Sequence, residues 1–128
     1  MFDTNICIHL IQRQPLELIA RCESLNYGDV VISSVVLAEL RHGVERIAQQ
    51  RTQAELALNA MLANFIVAPF GNDAAHAYGV LCAAIPDRRK DALDRLIAAH
   101  AVALNVALVT NNVADSKDYL GLRLENWI

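Results

Sequence analysis

The chain has 128 residues, 55% of them hydrophobic but only 5% aromatic, and a net charge of −3. That length predicts one domain, residues 1–128, able to bury roughly two-thirds of the surface its unfolded form would expose. The charge argues against a non-specific nucleic-acid coat, which carries a basic surface, and apolar runs such as Leu96 to Ala99 stop far short of the roughly 20 residues of a membrane span.

The N-terminus shows no basic segment followed by a long apolar one, so no secretory signal is visible and a cytoplasmic location is expected. Cys7, Cys22 and Cys82 are odd in number, far apart and set among apolar residues, which reads as buried thiols in a reducing compartment. His9, His42, His76 and His100 form no HExxH pattern and stand beside no CxxC, so zinc has no ligands at a familiar spacing and these are expected at the surface or core edge.

In chain order, Met1 to Thr4 can form only a minimal strand, and Asn5 is expected to cap a helix from Ile6 to Gln12. A second helix starts at Pro15 and runs to about Leu25, broken by Asn26, Tyr27 and Gly28. Asp29 to Ser33 is a β-branched strand that feeds a helix from Ser34 to about Gln49. Another helix covers Arg51 to Asn64, a brief strand Ile66 to Pro69, and a helix Ala74 to Ala84 capped by Asn72 or Asp73. After Ile85-Pro86-Asp87 and the basic Arg88, Arg89 and Lys90, an apolar helix opens at Asp91 and Asp94, and the strand Val106 to Thr110 follows it. Val113 to Lys117 is loop or short helix, and Leu122 to Asn126 a last strand. This alternation predicts an α/β fold, a central mostly parallel sheet flanked by helices.

Ligands in open α/β sheets bind at the carboxyl ends of the strands, and that is where this chain places acids. Asp3 follows the first strand, Glu39 rides on the helix after the second, and Asp94 opens the buried helix, so the three are expected to converge on a divalent metal. Each has a blander reading: Asp3 as a helix cap, Glu39 paired with His42 or Arg46, Asp94 as a complement to its helix dipole. Oxygen ligands without Cys or His select Mg²⁺ or Mn²⁺, ions that keep waters and bind phosphates, and such an ion supports phosphodiester hydrolysis. Arg88, Arg89 and Lys90 are either a phosphate contact or a solvated loop.

With those residues in place, the sequence resembles the PIN-domain endoribonucleases, and within them the VapC-type toxins of bacterial type II toxin–antitoxin pairs. The matching segments are DTNICI from Asp3, ISSVVLAELRHG from Ile32, DRLIAAHA from Asp94, LVTNN from Leu108, and LRLENW near the end. The resemblance implies a PIN-like fold and Mg²⁺- or Mn²⁺-dependent cleavage of RNA, transfer RNA or ribosomal RNA, that inhibits translation. It implies that Asp3, Glu39 and Asp94 are the family's acids, that Asn112 takes the fourth position, and that Thr4, Asn5 and Thr110 support them. It further implies a homodimer and a VapB-type antitoxin that blocks the active site and carries the pair onto operator DNA. RRKDAL stands where many members have a glycine-containing loop, so Asp91 is an additional acid at the substrate rim. The alternative is an inactive PIN domain that only binds its antitoxin and co-represses; the three acids count against it. A receiver domain is a further alternative, but the adjacent acid pair it needs near its start is missing.

Overall fold

The computed structural model describes residues 1–85, 92–117 and 119–128, so Arg88, Arg89, Lys90 and Asp91 lie outside the described residues. The elements run α1 (Thr4–Gln12), α2 (Leu16–Glu23), β1 (Val31–Ser33), α3 (Ser34–Glu45), a 3-10 turn at Ala48–Gln50, α4 (Arg51–Leu62), β2 (Ile66–Ala68), α5 (Asn72–Ala84), α6 (Ala92–Ala103), β3 (Leu108–Val109), α7 (Val113–Ser116) and β4 (Leu124–Glu125). Strand and helix alternate as the hydrophobic pattern predicts, and all the pairings among the described residues are parallel.

β1 pairs with β2 through Val31–Ile66, Ile32–Val67 and Ser33–Ala68, while β3 pairs with β4. Phe2 joins the two pairs by single bridges to Ile32 and Val109. The order across the sheet is therefore β2, β1, Phe2, β3, β4. From Phe2 the chain steps outward through β1 to β2, then crosses back to β3 and β4. The direction reverses between Phe2 and β3, which makes the carboxyl ends of these two neighbours the crevice where an open sheet takes its ligand.

Phe2 is fully buried at the centre and meets Phe65 and Trp127 edge to face, at ring centroid distances of 5.4 and 5.3 Å. Burial of such a side chain contributes about 2–3 kcal/mol, and each aromatic pair adds about 1 kcal/mol. Around it, Ile6, Cys7 and Leu10 of α1, Leu18 of α2, Val36, Leu40 and Val44 of α3, and Leu58 and Met61 of α4 close the main core. A smaller cluster, Leu81 of α5 with Ala98, Ala99 and Tyr119, holds α5 against α6. The alanines let the α6 backbone come close to its neighbours.

Three local expectations are corrected. α1 begins at Thr4 and its cap is Asp3, not Asn5: the Asp3 carboxylate accepts from the Ile6 N–H at 2.8 Å. Gly71, rather than Asn72 or Asp73, holds the cap position of α5. His100 is no core-edge residue but 2% exposed, its Nδ1 2.7 Å from the Ser33 hydroxyl and its ring edge-on to Phe70. Its ring also bonds the Pro69 carbonyl, and burial holds its pKa below the ordinary histidine value. The Ser33 oxygen in turn accepts from the Val35 N–H as the cap of α3. The other histidines sit at the surface or partly buried. Cys7 is buried and Cys22 and Cys82 are half-buried, all three free thiols.

Candidate active site

The site grows from the edge of the sheet. The Asp3 N–H bonds to the Val109 carbonyl and the Val109 N–H to the Met1 carbonyl, so the first chain segment and β3 end side by side. One residue past the ladder, Asp3 turns into α1 on one side and Thr110 leaves β3 on the other. Thr110 is buried and hydrogen-bonds the Asp3 side chain, which also accepts from the backbone of α1. Burial nevertheless pushes the Asp3 pKa up, the hydrogen bonds and nearby His9 offsetting only part of the desolvation. A carboxylate that remains costly to ionise after all its hydrogen bonds is one that a cation would stabilise.

Between these ends lies a cleft of about 60 Å³, lined by Asp3, Asn5, Asp94, Thr110, Asn112, Asp115 and Ser116 above Ile97 and Leu108. Asp94 reaches it from the first turn of α6, whose following turns, Ile97 to Ala101, are buried. Asn112 donates its backbone N–H to the Thr110 hydroxyl and its amide to the Asp115 carboxylate. The described lining residues include three carboxylates and no Lys or Arg. Of the predicted residues the cleft thus collects Asp3, Asp94, Asn112, Asn5 and Thr110.

Glu39 is not among the lining residues. It sits on α3 and accepts from the Thr4 hydroxyl at 2.6 Å, instead of pairing with His42 or Arg46, and so braces the residue beside Asp3. Asp115 is the acid that sequence reasoning passed over. Its signal was its place in the first turn of a helix, as with Asp94, here directly after β3.

The donor set fits a hard divalent cation: carboxylate, hydroxyl and amide oxygens, uncompensated negative charge, and room for an ion with water. Among the described residues no three acids or histidines converge closely enough to enclose an ion alone. A cation here would draw the rest of its shell from water and phosphate. The larger depression, about 710 Å³, lies between α1, α2 and α4, is lined largely by apolar residues such as Leu10, Ile19, Leu25 and Met61, and gathers no acids around a common point.

The family model for the PIN domain matches residues 1–114. Ribonuclease VapC2 of Rickettsia felis is 36% identical over 99% of this chain and 96% of its own length. The tRNA(fMet)-specific endonuclease VapC of Shigella flexneri is 34% identical over 99% and 96%. The R. felis VapBC2 complex bound to a DNA fragment from its promoter contains a chain that superposes with a TM-score of 0.89 and 34% identity, covering 100% of this chain and 98% of that one.

Proposed function

This chain belongs to the PIN-domain family, among the VapC ribonucleases, and we propose that its acid cleft hydrolyses RNA phosphodiester bonds as the toxin of a type II toxin–antitoxin pair. The observation that carries this reading is the meeting of Asp3 and Asp94 at the crevice between Phe2 and β3, with no basic residue among the described lining. Dependence on a divalent cation follows from membership of the family; Mg²⁺ or Mn²⁺ is our assignment, from the oxygen donors. When bound, the cation supplies Lewis-acid stabilisation of the phosphate and eases deprotonation of the attacking water.

The protein's own groups hold this arrangement. Asp3 and Asp94 are the cation's carboxylates, with Asp115 and Asn112 at its remaining side. Thr110 and the Ile6 N–H fix the Asp3 carboxylate, and Glu39 acts on Thr4 from behind. Arg88, Arg89 and Lys90, close in sequence to Asp94, contact the RNA backbone, and Asp91 belongs to the same rim. Residues 1–128 act as one PIN domain, in the cytoplasm; no described helix is long and apolar enough to cross a membrane.

The partner is a VapB-type antitoxin that carries the toxin onto promoter DNA, as in the R. felis complex. An arginine fork binds carboxylates bidentately, so the antitoxin is expected to place one against Asp3 or Asp94. The apolar depression between α1, α2 and α4 suits an amphipathic segment of the same partner. The toxin is a homodimer, and its substrate is transfer RNA, as the name of the S. flexneri relative indicates for that enzyme; ribosomal RNA is the second choice.

The test is cleavage of purified transfer RNA by antitoxin-free protein with Mg²⁺ or Mn²⁺, with EDTA, and with Asp94→Asn. Cleavage only by wild type with metal supports the proposal. A folded Asp94→Asn that cuts at the wild-type rate refutes the site, and a wild type that cuts no RNA with either metal favours the inactive, co-repressing alternative.

A further inference from the structure

The acid cleft is small, about 60 Å³, and its lining of acids and amides suits an ion and water. The base next to the scissile phosphate then has the rim to rest on. Two residues there make no hydrogen bond to the acids. His9 lies one turn beyond Asn5 on the same face of α1, and Asn5 lines the cleft. Its ring is close enough to Asp3 to act on that carboxylate. Across from it Asn111, exposed at the end of β3, sets its Nδ2 3.5 Å from His9 Nε2.

Either ring nitrogen of His9 can donate or accept, as its tautomer sets. At 3.5 Å this contact is at the outer limit of a hydrogen bond and is readily exchanged for a better one. Among the described residues, neither His9 Nδ1 nor Asn111 Oδ1 has another hydrogen-bond partner. An imidazole and an exposed amide, joined only by this long contact, thus stand together beside the cleft. This is the chemistry that reads unpaired RNA bases, by stacking on a ring and by hydrogen bonds to the base edge. The geometry points to His9 and Asn111 as the base-recognition rim of the RNA site: His9 stacks the nucleobase flanking the scissile phosphate, and Asn111 reads its edge.

The inference rests on the ribonuclease reading above, and the experiment separates the two. Antitoxin-free protein is given short single-stranded RNA substrates that differ in the base on either side of one cleavage position, with Mn²⁺. Wild type, His9→Ala, His9→Phe and Asn111→Ala are compared, after thermal unfolding has shown each variant folded. Loss of the stack in His9→Ala raises KM about tenfold, and His9→Phe, which lacks the imidazole's effect on Asp3 but keeps a ring, restores KM. Asn111→Ala brings kcat/KM for the four bases to within about twofold of one another. Wild-type KM in His9→Ala together with an unaltered base preference in Asn111→Ala overturns the rim while leaving the ribonuclease intact. A wild type that cuts none of these RNAs, nor transfer RNA, overturns both.

Discussion

Asp3 is both a helix cap and a proposed metal ligand, and two substitutions separate these roles. Asparagine caps a helix about as well as aspartate, so Asp3→Asn keeps the bond to the Ile6 N–H and a side chain that Thr110 can still contact. It removes the charge, and cleavage should fall more than about 100-fold. Asp3→Ala loses the charge as well as the cap, at about 1 kcal/mol, and leaves the buried Thr110 hydroxyl without an acceptor, at roughly another 1 kcal/mol. The alanine variant should therefore unfold about 7 °C below the asparagine variant, both being inactive. The two also differ from wild type in sign. Because burial raises the Asp3 pKa, its ionisation opposes folding: the group's contribution is full below the unfolded value of 3.8 and is lost as pH rises through the raised value. At pH 7 in EDTA, Asp3→Asn should thus be at least as stable as wild type. Urea and thermal unfolding of the three proteins, with RNA cleavage alongside, is the assay. Equal stability of the alanine and asparagine variants would refute the capping argument, and a wild-type cleavage rate in Asp3→Asn would refute the ligand assignment.

Asn112→Asp sets a second carboxylate against Asp115 in place of a hydrogen bond, and should tighten Mn²⁺ binding in calorimetry without RNA; equal affinity and stoichiometry would place residue 112 outside the metal's reach. His100 is buried with its pKa lowered, so protonating it costs folding stability. Stability should fall as pH drops from 6.5 toward the depressed value, by at most about 1.4 kcal/mol per pH unit, and His100→Gln should flatten that slope in urea titrations. Gly28, at φ +98° ahead of β1, should tolerate alanine poorly, losing about 1 kcal/mol in the same measurement. Leu25→Asp in the apolar depression should weaken antitoxin binding while transfer RNA cleavage by the free toxin is retained; unchanged affinity would move the antitoxin elsewhere.

The alternation of short β-branched runs with helical periods was enough to predict the parallel α/β fold, because each element's period depends only on local geometry. Asp3, Asp94 and Thr110 were legible for the same reason: a polar residue just past an apolar strand, or opening an apolar helix, falls on the ligand-binding edge of any such sheet. Element ends were less legible. Asp3 rather than Asn5 caps α1 because the chain must turn immediately after its single bridging residue, Phe2, and that constraint comes from strands far away in sequence.

What the sequence by itself determined is the order of elements and which acids stand at their junctions. Only the tertiary structure decided which of those acids meet. Glu39, in the second turn of α3, is directed to the Thr4 hydroxyl, while Asp115, on a helix of four residues, lines the cleft. His100 and Ser33, 67 positions apart, form a buried bond that no local pattern encodes. The physical reason is the same in each case: periodicity fixes how a side chain leaves its own element, but which partner it finds depends on the crossovers, whose reversal between Phe2 and β3 creates the crevice.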